Sequence, residues 1–336
     1  MFAGADRTPA DDSVGHSFLV AREPGTIQQP GATFKSPIFS LPAASAGQRP
    51  DAPHDPLMTM LHPVPAARST LAESADRHRL YERAVQNPRS EVDFVDHTYR
   101  QLRGRSARWL REDFCGTAAV CCEWVRRRKT NRALGVDLDP VVLDWGRCHN
   151  LAALPACQRA RVQLLEQDVA TAASRPLDLV LAMNFSYWLL AGRAALRAYF
   201  AQVRAALAPD GVFLLDAYGG YDAYRRIIEE RPVEDPELGR FAYQWEQALY
   251  DPISGRLVCY IHFNFADGSR LERAFTYDWR LWSLPEIREL LTEAGFSRVL
   301  VYWQGWDPDG RPDGRFQPVA TGEPDAGWIA YLSAEP

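Results

Sequence analysis

The chain has 336 residues, 46% of them hydrophobic, which is enough to bury one ordinary α/β core with at most a small appended subdomain. A net charge of −5 and a pI near 5.9 disfavour nucleic acid as a partner, because binding to a phosphate backbone depends on an excess of Lys and Arg. The six cysteines show neither disulfide nor zinc spacing, and no apolar run approaches the roughly 20 residues that span a bilayer. We therefore expect a soluble, cytoplasmic protein without a metal site or a membrane partner.

The first part of the chain, residues 1–66, is rich in Pro, Ala, Gly and Ser and has no sustained hydrophobic period. This composition predicts a disordered N-terminal extension. Met58 and Met60 lie just before the first patterned stretch, so the sequence leaves open whether the native protein starts at one of them or at Met1. From Thr70 the period becomes helical and predicts N-terminal helices within 67–104.

Apolar, strand-like runs then alternate with helical ones, which predicts a parallel sheet with right-handed crossovers. The predicted strands span 107–110, 133–136, 162–165, 177–183 and 212–215, and the predicted helices span 117–128, 140–150 and 193–207. We expect a doubly wound, mostly parallel, seven-stranded α/β sheet with helices on both faces, formed within 105–336.

The period changes to strict alternation between about 241 and 282, where turn signals separate the apolar runs. This pattern predicts a small antiparallel insert of three strands after strand five. Six aromatic residues of the insert alternate with polar ones, namely Tyr243, Trp245, Tyr260, Tyr277, Trp279 and Trp282. We expect them to form an apolar face turned toward the core or a substrate. A helix from Ser283 to Gly295 and strands over 298–303 and 327–332 complete the predicted sheet.

Acidic residues end three of the predicted strands. A cofactor held at the carboxyl ends of parallel strands needs a tight turn after strand one and an acid at the end of strand two for its ribose. The sequence Arg-Glu-Asp-Phe-Cys-Gly-Thr-Ala supplies the turn, and Gly-Val-Asp-Leu-Asp-Pro supplies the acid, Asp137. Strand three ends at Asp168, where an adenine amine has an acceptor for a hydrogen bond.

These motifs resemble those of the class I S-adenosylmethionine-dependent methyltransferases over roughly residues 105–305. The resemblance includes the order of elements, the Phe-Cys-Gly-Thr turn, Leu-Asp-Leu-Val-Leu-Ala-Met-Asn on strand four and Leu-Ala-Pro-Asp-Gly-Val-Phe-Leu-Leu-Asp around strand five. It implies S-adenosyl-L-methionine as the cofactor and a small molecule as the substrate, with in-line methyl transfer to an O or N nucleophile. Two alternatives stay open: a non-catalytic module that binds the same cofactor, and an RNA or protein methyltransferase.

The resemblance also implies roles for individual residues. The acid that orients the methionine amino group is Glu112, favoured by the family pattern, or Asp113, which lies nearer the turn. Asp137 would bind the ribose and Asp168 the adenine amine. The remaining positions expected beside the cofactor are Gly116, Thr117, Leu138, Val169 and Asn184.

The turn departs from the family pattern at two of its three glycines. Where the family has Gly-x-Gly-x-Gly, this chain has Phe114, Gly116 and Ala118. The sequence leaves open whether the flanking positions take a positive φ, and whether Phe114 is a core residue. The missing glycines argue against a dinucleotide, because its pyrophosphate needs Gly-x-Gly-x-x-Gly to approach the helix.

The sequence assigns no catalytic residue. Tyr187 and Tyr218 follow or end strands four and five, where the reacting methyl is expected, and they are candidates for contacts to the sulfonium or to the substrate. The alternative is that both are packing residues of the lid or the core.

Overall fold

Two sheets organise the residues that the structure describes, which are 69–172, 176–306 and 312–336 of a computed structural model. The N-terminal extension predicted for 1–66 lies outside these residues. Eight strands form the main sheet and four form a second, antiparallel sheet. None of the helices in the described ranges is long and apolar enough to cross a membrane.

The α-helices of the described residues range in length from four to sixteen residues. They are α1 (Leu71–Ser74), α2 (Arg77–Ala84), α3 (Pro88–Arg103), α4 (Ala119–Arg127), α5 (Pro140–Gly146), α6 (Ala156–Arg159), α7 (Arg193–Ala206) and α8 (Leu284–Glu293). A π-helical turn, Arg147–Leu151, extends α5.

Helices connect the first three strands to one another and the fourth strand to the fifth. They are β1 (Trp109–Asp113), β2 (Arg132–Asp137), β3 (Val162–Glu166), β4 (Leu177–Ala182), β5 (Leu207–Gly219), β6 (Ile227–Asp235), β7 (Gly239–Tyr250), β8 (Arg256–Phe265), β9 (Arg270–Arg280), β10 (Arg298–Trp306), β11 (Pro312–Val319) and β12 (Trp328–Glu335).

The main sheet has the order β3-β2-β1-β4-β5-β12-β10-β11. Strands β1 to β5 pair in parallel, and β12 is antiparallel to both β5 and β10. The predicted doubly wound α/β fold is confirmed. The order reverses between β1 and β4, and in such sheets ligands bind outside the carboxyl ends of the strands at this switch point.

The predicted strand counts were each one too low. The main sheet has eight strands because β11 adds an edge beside β10, and the second sheet has four, in the order β6-β7-β8-β9. Strand β6 begins the insert at Ile227 instead of near 241. It is an edge strand whose Pro232 pairs with Ala242, a position that tolerates a residue without an N–H. Its Pro and its acidic residues hide the alternation that identified the other three strands.

Two apolar cores cover the two faces of the main sheet. One core includes Val92 of α3, Trp124 of α4 and Leu143 of α5, packed on Leu110 and Leu179. The other core includes side chains of α7, α8 and the second sheet, among them Phe200, Leu290 and Trp279. The helices thus lie on both faces, and the second sheet belongs to the core on the α7 side.

Local capping signals place the helix ends. Ser283 and Glu286 form a capping box at the start of α8, and Gly295 follows its end with a φ of 97°. Asn87 caps α3, whose first residue is Pro88 and whose C-cap is Gly104 in the left-handed region. These caps define the two ends of α3, whose buried residues are Glu91, Val92, Val95, Thr98 and Tyr99.

Two residues of β1, Arg111 and Asp113, form an ion pair that is fully buried. The Arg111 Nε lies 2.8 Å from Asp113 Oδ1, and both side chains are completely buried. Arg111 also donates from Nη2 to Asp113 Oδ2 at 2.9 Å and from Nη1 to the Ala172 carbonyl at 3.2 Å. Tyr199 of α7 donates to the same Asp113 Oδ2 at 2.8 Å. Asp113 is therefore committed to joining β1 to α7.

We predict that Arg111→Met destabilises the protein by about 3–5 kcal/mol, because it leaves the Asp113 carboxylate buried without its counterion. Urea unfolding at pH 7 measures this change. The matched control is Arg256→Met, which breaks an ion pair with Asp278 whose two side chains are more than half exposed, and it should have a far smaller effect. Equal effects of the two substitutions would show that the buried pair does not support the fold.

Candidate functional site

The turn after β1 keeps a glycine-type backbone although two of its glycines are missing. Phe114, Gly116 and Ala118 have φ values of 56°, 51° and 59°, all in the left-handed region. This region costs a residue with a Cβ about 1–2 kcal/mol. The half-buried Phe114 ring lies 5.9 Å from the Tyr199 ring and packs against the core on the α7 side. Residues 114, 116 and 118, where the sequence pattern expects glycine, thus share one left-handed conformation although only one of them is a glycine.

Asp137, at the end of β2, holds this turn in place. Its Oδ2 accepts a hydrogen bond from the Gly116 N–H at 2.8 Å, and its Oδ1 accepts one from the Asp139 N–H at 3.0 Å. A carboxylate has about four lone-pair sites, so these bonds leave acceptor capacity on both oxygens. Asp137 is half-buried, so the carboxylate is accessible at the crevice between the strand ends.

Glu112 points to the opposite face of β1 from Asp113. Its Oε2 accepts a hydrogen bond at 3.0 Å from the N–H of Cys121, in the first turn of α4. The N-cap of α4, Ala118, has no side chain that can cap, so Glu112 performs this role from the strand. Burial raises the pKa of Glu112 to about 7. An acid that ionises near neutral pH is thus placed at the N-terminus of α4.

Thr117 is fixed by its neighbours on two other helices. Its Oγ1 donates to Glu82 Oε1 at 2.5 Å, and Asn150 donates to the same Oε1 at 2.6 Å and to the Thr117 carbonyl at 3.0 Å. Gly146 lies so close that a Cβ on it would be 2.6 Å from the Thr117 oxygen. The turn is therefore braced from α2 and from the end of α5.

The ends of β2 and β3 lie side by side, because the Gln167 N–H donates to the Asp137 carbonyl at 2.9 Å. Asp168 is exposed and its Oδ1 accepts from the Ala170 N–H at 2.8 Å, whereas Val169 is buried. Leu138 is 68% exposed. Leu138 lies between Asp137 and Asp139, so this surface offers an apolar contact for a flat ring and acceptors for polar groups at the ring's edge.

A second strained turn follows β4. Asn184 and Phe185 have φ values of 57° and 58°. The Asp216 carboxylate on β5 accepts from both of their N–H groups at 2.9 Å. Burial raises the pKa of Asp216 to about 7, although these two hydrogen bonds lower it. The turns after β1 and β4 are thus both held by an Asp on the neighbouring strand.

The two tyrosine candidates are buried in this structure. The Tyr187 hydroxyl donates to the Asp216 carbonyl at 2.8 Å. The Tyr218 ring lies 4.8 Å from that of Phe185 and 4.9 Å from that of Trp188, within an aromatic cluster. Trp279 of the second sheet joins this cluster at 5.8 Å from Trp188. The proposed catalytic roles of Tyr187 and Tyr218 stay predictions.

The aromatic residues of the second sheet occupy more than one environment. Tyr243, Trp245, Trp279 and Trp282 are buried in the core on the α7 side, and Tyr277 is partly buried against it. Tyr260 instead lies under the Arg273 guanidinium, 4.4 Å from its ring centroid. Most of the predicted apolar face therefore packs on the core next to the ends of β4 and β5.

Glu91 is a site residue that sequence reasoning missed. It lies on α3, is 3% exposed, and neither carboxyl oxygen has a hydrogen-bond partner among the described residues. Burial, together with repulsion from Glu112 and Asp216, raises the pKa of Glu91 to about 8. The available signal was its spacing, since Glu91, Val95 and Thr98 share the buried stripe of α3.

A small cavity of about 10 Å³ lies against Glu91. We call it the Glu91 cavity, and it is lined by Glu91, residues 183–185, Asp216, Ile329 and Tyr331. Its volume corresponds to about one water-sized group. It lies at the ends of β4 and β5, on the side of the crevice away from Asp137 and Asp168.

The structure thus brings Glu112, Gly116, Thr117, Asp137 and Asn184 to the switch-point end of the sheet. Asp113 is committed to the buried ion pair instead. Among the described side chains, no group of three or more His, Cys, Asp or Glu has the arrangement of a metal site.

Comparisons with known proteins show the fold. No protein-family model matches the chain, and no curated protein matches it in sequence. A solved structure of an S-adenosylmethionine-dependent methyltransferase from Clostridium acetobutylicum ATCC 824 is similar, with a TM-score of 0.56 at 18% identity over 77% of this chain and 97% of that one.

Two further solved structures are similar to the same extent. CalS10, an amino pentose methyltransferase from Micromonospora echinaspora, matches with a TM-score of 0.56 at 19% identity over 77% of this chain and 96% of its own. DesVI from Streptomyces venezuelae matches with a TM-score of 0.57 at 18% identity and the same coverage. The chain therefore has the fold of the class I S-adenosylmethionine-dependent methyltransferases.

The buried Glu91 predicts a specific pH dependence of stability. Below pH 4.5, the ordinary pKa of a glutamate, the Glu91 carboxyl is protonated in both the folded and the unfolded protein. Between pH 4.5 and about pH 8 it is ionised in the unfolded protein only. The folded state then binds more protons, so stability falls as the pH rises, by about 1.4 kcal/mol per unit. Glu91→Gln should remove this contribution.

Urea unfolding at pH 5, 6, 7 and 8 tests the prediction. The control is Asp93→Asn, on the same helix but 61% exposed, which should keep the wild-type slope. If Glu91→Gln and the wild type lost stability in parallel over this range, Glu91 would not be a buried, protonated acid.

Proposed function

We propose that the protein binds S-adenosyl-L-methionine at the switch point between β1 and β4 and transfers its methyl group to a small molecule. The cofactor supplies a methyl group on a sulfonium, which an O or N nucleophile displaces in line. The chain's own residues then have to bind, orient and exclude water. The observation that carries the proposal is the position of the Glu112 carboxylate at the first turn of α4.

This carboxylate distinguishes two cofactor classes by charge. A dinucleotide places its pyrophosphate at the N-terminus of the first helix, where free N–H groups and the helix dipole attract an anion. Here the Cys121 N–H is already bonded to Glu112, and a pyrophosphate would meet a like charge. The methionine part of S-adenosylmethionine carries an ammonium group at this end, which a carboxylate attracts.

The positions of Glu112 and Asp113 favour Glu112 as the partner of that ammonium group. Asp113 has its oxygens engaged by Arg111 and Tyr199 inside the protein. Glu112 faces the first turn of α4, and Gly116 and Thr117 lie in the turn that leads into this helix. We assign to these two residues the backbone next to the methionine moiety, and to Asn184, in the turn after β4, a position beside the cofactor.

Asp137 is assigned to the ribose. After accepting the Gly116 N–H, its carboxylate keeps lone pairs for two hydroxyl donors. Leu138 and Val169 provide apolar contacts for the adenine, and Asp168 provides an acceptor for its exocyclic amine. The exposure of Leu138 supports this assignment, since burial under a ring would remove its apolar surface from water.

A small-molecule acceptor is supported by the charge and by the second sheet. The net charge of −5 offers no broad attraction to a phosphate backbone. The second sheet packs its aromatic residues against the ends of β4 and β5, so it covers part of the side from which an acceptor approaches. A covered entrance suits a metabolite better than a folded macromolecule.

The proposal predicts that Asp137→Ala weakens the binding of S-adenosylhomocysteine, the demethylated product, about tenfold to hundredfold. This corresponds to the loss of about 1.5–3 kcal/mol expected for hydrogen bonds to a charged group. Isothermal titration calorimetry at fixed salt measures it. Asp168→Ala should cost less, because only one adenine amine bond is involved.

Asp144→Ala is the matched control, since this acid lies on α5 nearby with a side chain that is 70% exposed. It should bind the product as the wild type does. Unchanged affinity of a folded Asp137→Ala variant would place the cofactor elsewhere. Turnover of the cofactor with a pool of small metabolites separates an enzyme from a non-catalytic binding module.

A further inference from the structure

We propose that the Glu91 cavity receives the protonated amino group of the methyl acceptor, so that the substrate is an amine. This inference rests on the proposed function, because it names the acceptor of the same site. It starts from two carboxyl side chains, Glu91 and Asp216, that line one cavity at the ends of β4 and β5.

Glu91 lacks the partners that buried carboxyls need. The residue is 3% exposed, and neither oxygen has a hydrogen-bond partner of good geometry among the described residues, the backbone N–H of Asn87 being only a weak donor to the carboxyl. An unpartnered polar group in the interior costs about 1–3 kcal/mol, and more if it is charged. No ion pair among the described residues includes Glu91 or Asp216. A ligand that donates N–H bonds and brings a positive charge would satisfy both needs.

The groups around Glu91 come from four elements and none is cationic. Glu112 of β1 and Asp216 of β5 are the acids that repel it. Tyr81 of α2 and Tyr331 of β12 are the other titratable groups close to it, and both are neutral phenols. The surroundings therefore favour a cation over a neutral hydroxyl, because only a cation compensates the charge that each of these acids gains when it ionises.

The size and place of the cavity suit the reacting nitrogen of an amine. A volume of about 10 Å³ admits one ammonium-sized group and no larger part of a substrate. The cavity borders Asn184 and Asp216, at the two strand ends next to the expected methyl group. The cofactor's own ammonium group is assigned to Glu112, at the end of β1.

Glu91 would also accept a proton from the amino group of the methyl acceptor. Glu91 is a neutral acid in the free protein up to about pH 8, and an ammonium group, R–NH₃⁺, that enters the cavity favours its ionisation, so that Glu91 releases its proton to solvent. The resulting carboxylate then takes one proton from the ammonium group, which gives R–NH₂ and the neutral acid again. The nitrogen then carries the lone pair that a displacement at carbon requires. Glu91 is a catalytic residue in this account because it touches the nucleophile.

The first test uses the ammonium ion itself as the probe. Thermal unfolding of the wild type at pH 8 should show a higher Tm in ammonium chloride than in tetramethylammonium chloride at the same ionic strength. Tetramethylammonium has the same charge but no N–H and does not fit the cavity. Glu91→Gln should lose this difference, with an apparent affinity for ammonium at least tenfold weaker, whereas Asp93→Asn should keep it.

Equal Tm values in the two salts for the wild type, or an equal difference in Glu91→Gln, would make the cavity a packing defect or a water site and overturn the proposal.

The second test is calorimetry with S-adenosylhomocysteine, which Glu91→Gln should bind within twofold of the wild type. A tenfold or greater loss would place the cofactor's ammonium group in the cavity and overturn the acceptor assignment. Failure of the wild type to bind this product would refute the proposed function, and the ammonium titration would still report on the cavity.

Discussion

The hydrogen bond from the Cys121 N–H to the Glu112 carboxyl holds an acid where β1 meets α4, and this acid ionises near neutral pH. Helix α4 has no capping side chain of its own at Ala118, so its first turn depends on this acid from the strand. In this sheet topology the same position is the one at which a ligand meets the first helix. In the proposed function, the ligand brings a positive group to this position and not a phosphate. The choice of cofactor class would then follow from an interaction that also caps the helix.

Carboxylates from neighbouring strands stabilise the strained turns that follow β1 and β4. Phe114, Ala118, Asn184 and Phe185 are residues with a Cβ in the left-handed region, each at a cost of about 1–2 kcal/mol. Asp137 and Asp216 receive backbone N–H groups from the two turns that contain these residues. Such strain persists only where the surrounding structure enforces it, and it clusters at binding sites. Both turns therefore have fixed geometries before a ligand arrives.

The succession of the parallel strands along the chain and the position of Asp137 were predictable, because the strands are apolar runs bounded by turns and the first three of them end in acids. The edge strands β6 and β11 could not be predicted, since both contain Pro and charged residues and lack an alternating apolar face. The left-handed φ of Phe114 and Ala118 was hidden because glycine, its usual sequence signal, is absent. The commitment of Asp113 to Arg111 and the burial of Glu91 depend on α7, β5 and β12, which are distant in the chain, so that only the folded structure identifies which acids are accessible.

The central claim is that the charge at the end of β1 selects S-adenosylmethionine over a dinucleotide. The most direct measurement is calorimetric titration of the wild-type protein, in one buffer, with S-adenosylmethionine, S-adenosylhomocysteine, NAD and NADP. The account predicts micromolar binding of the two sulfur compounds and no heat of binding with either dinucleotide. Binding of a dinucleotide, with no response to S-adenosylmethionine or S-adenosylhomocysteine, would contradict it.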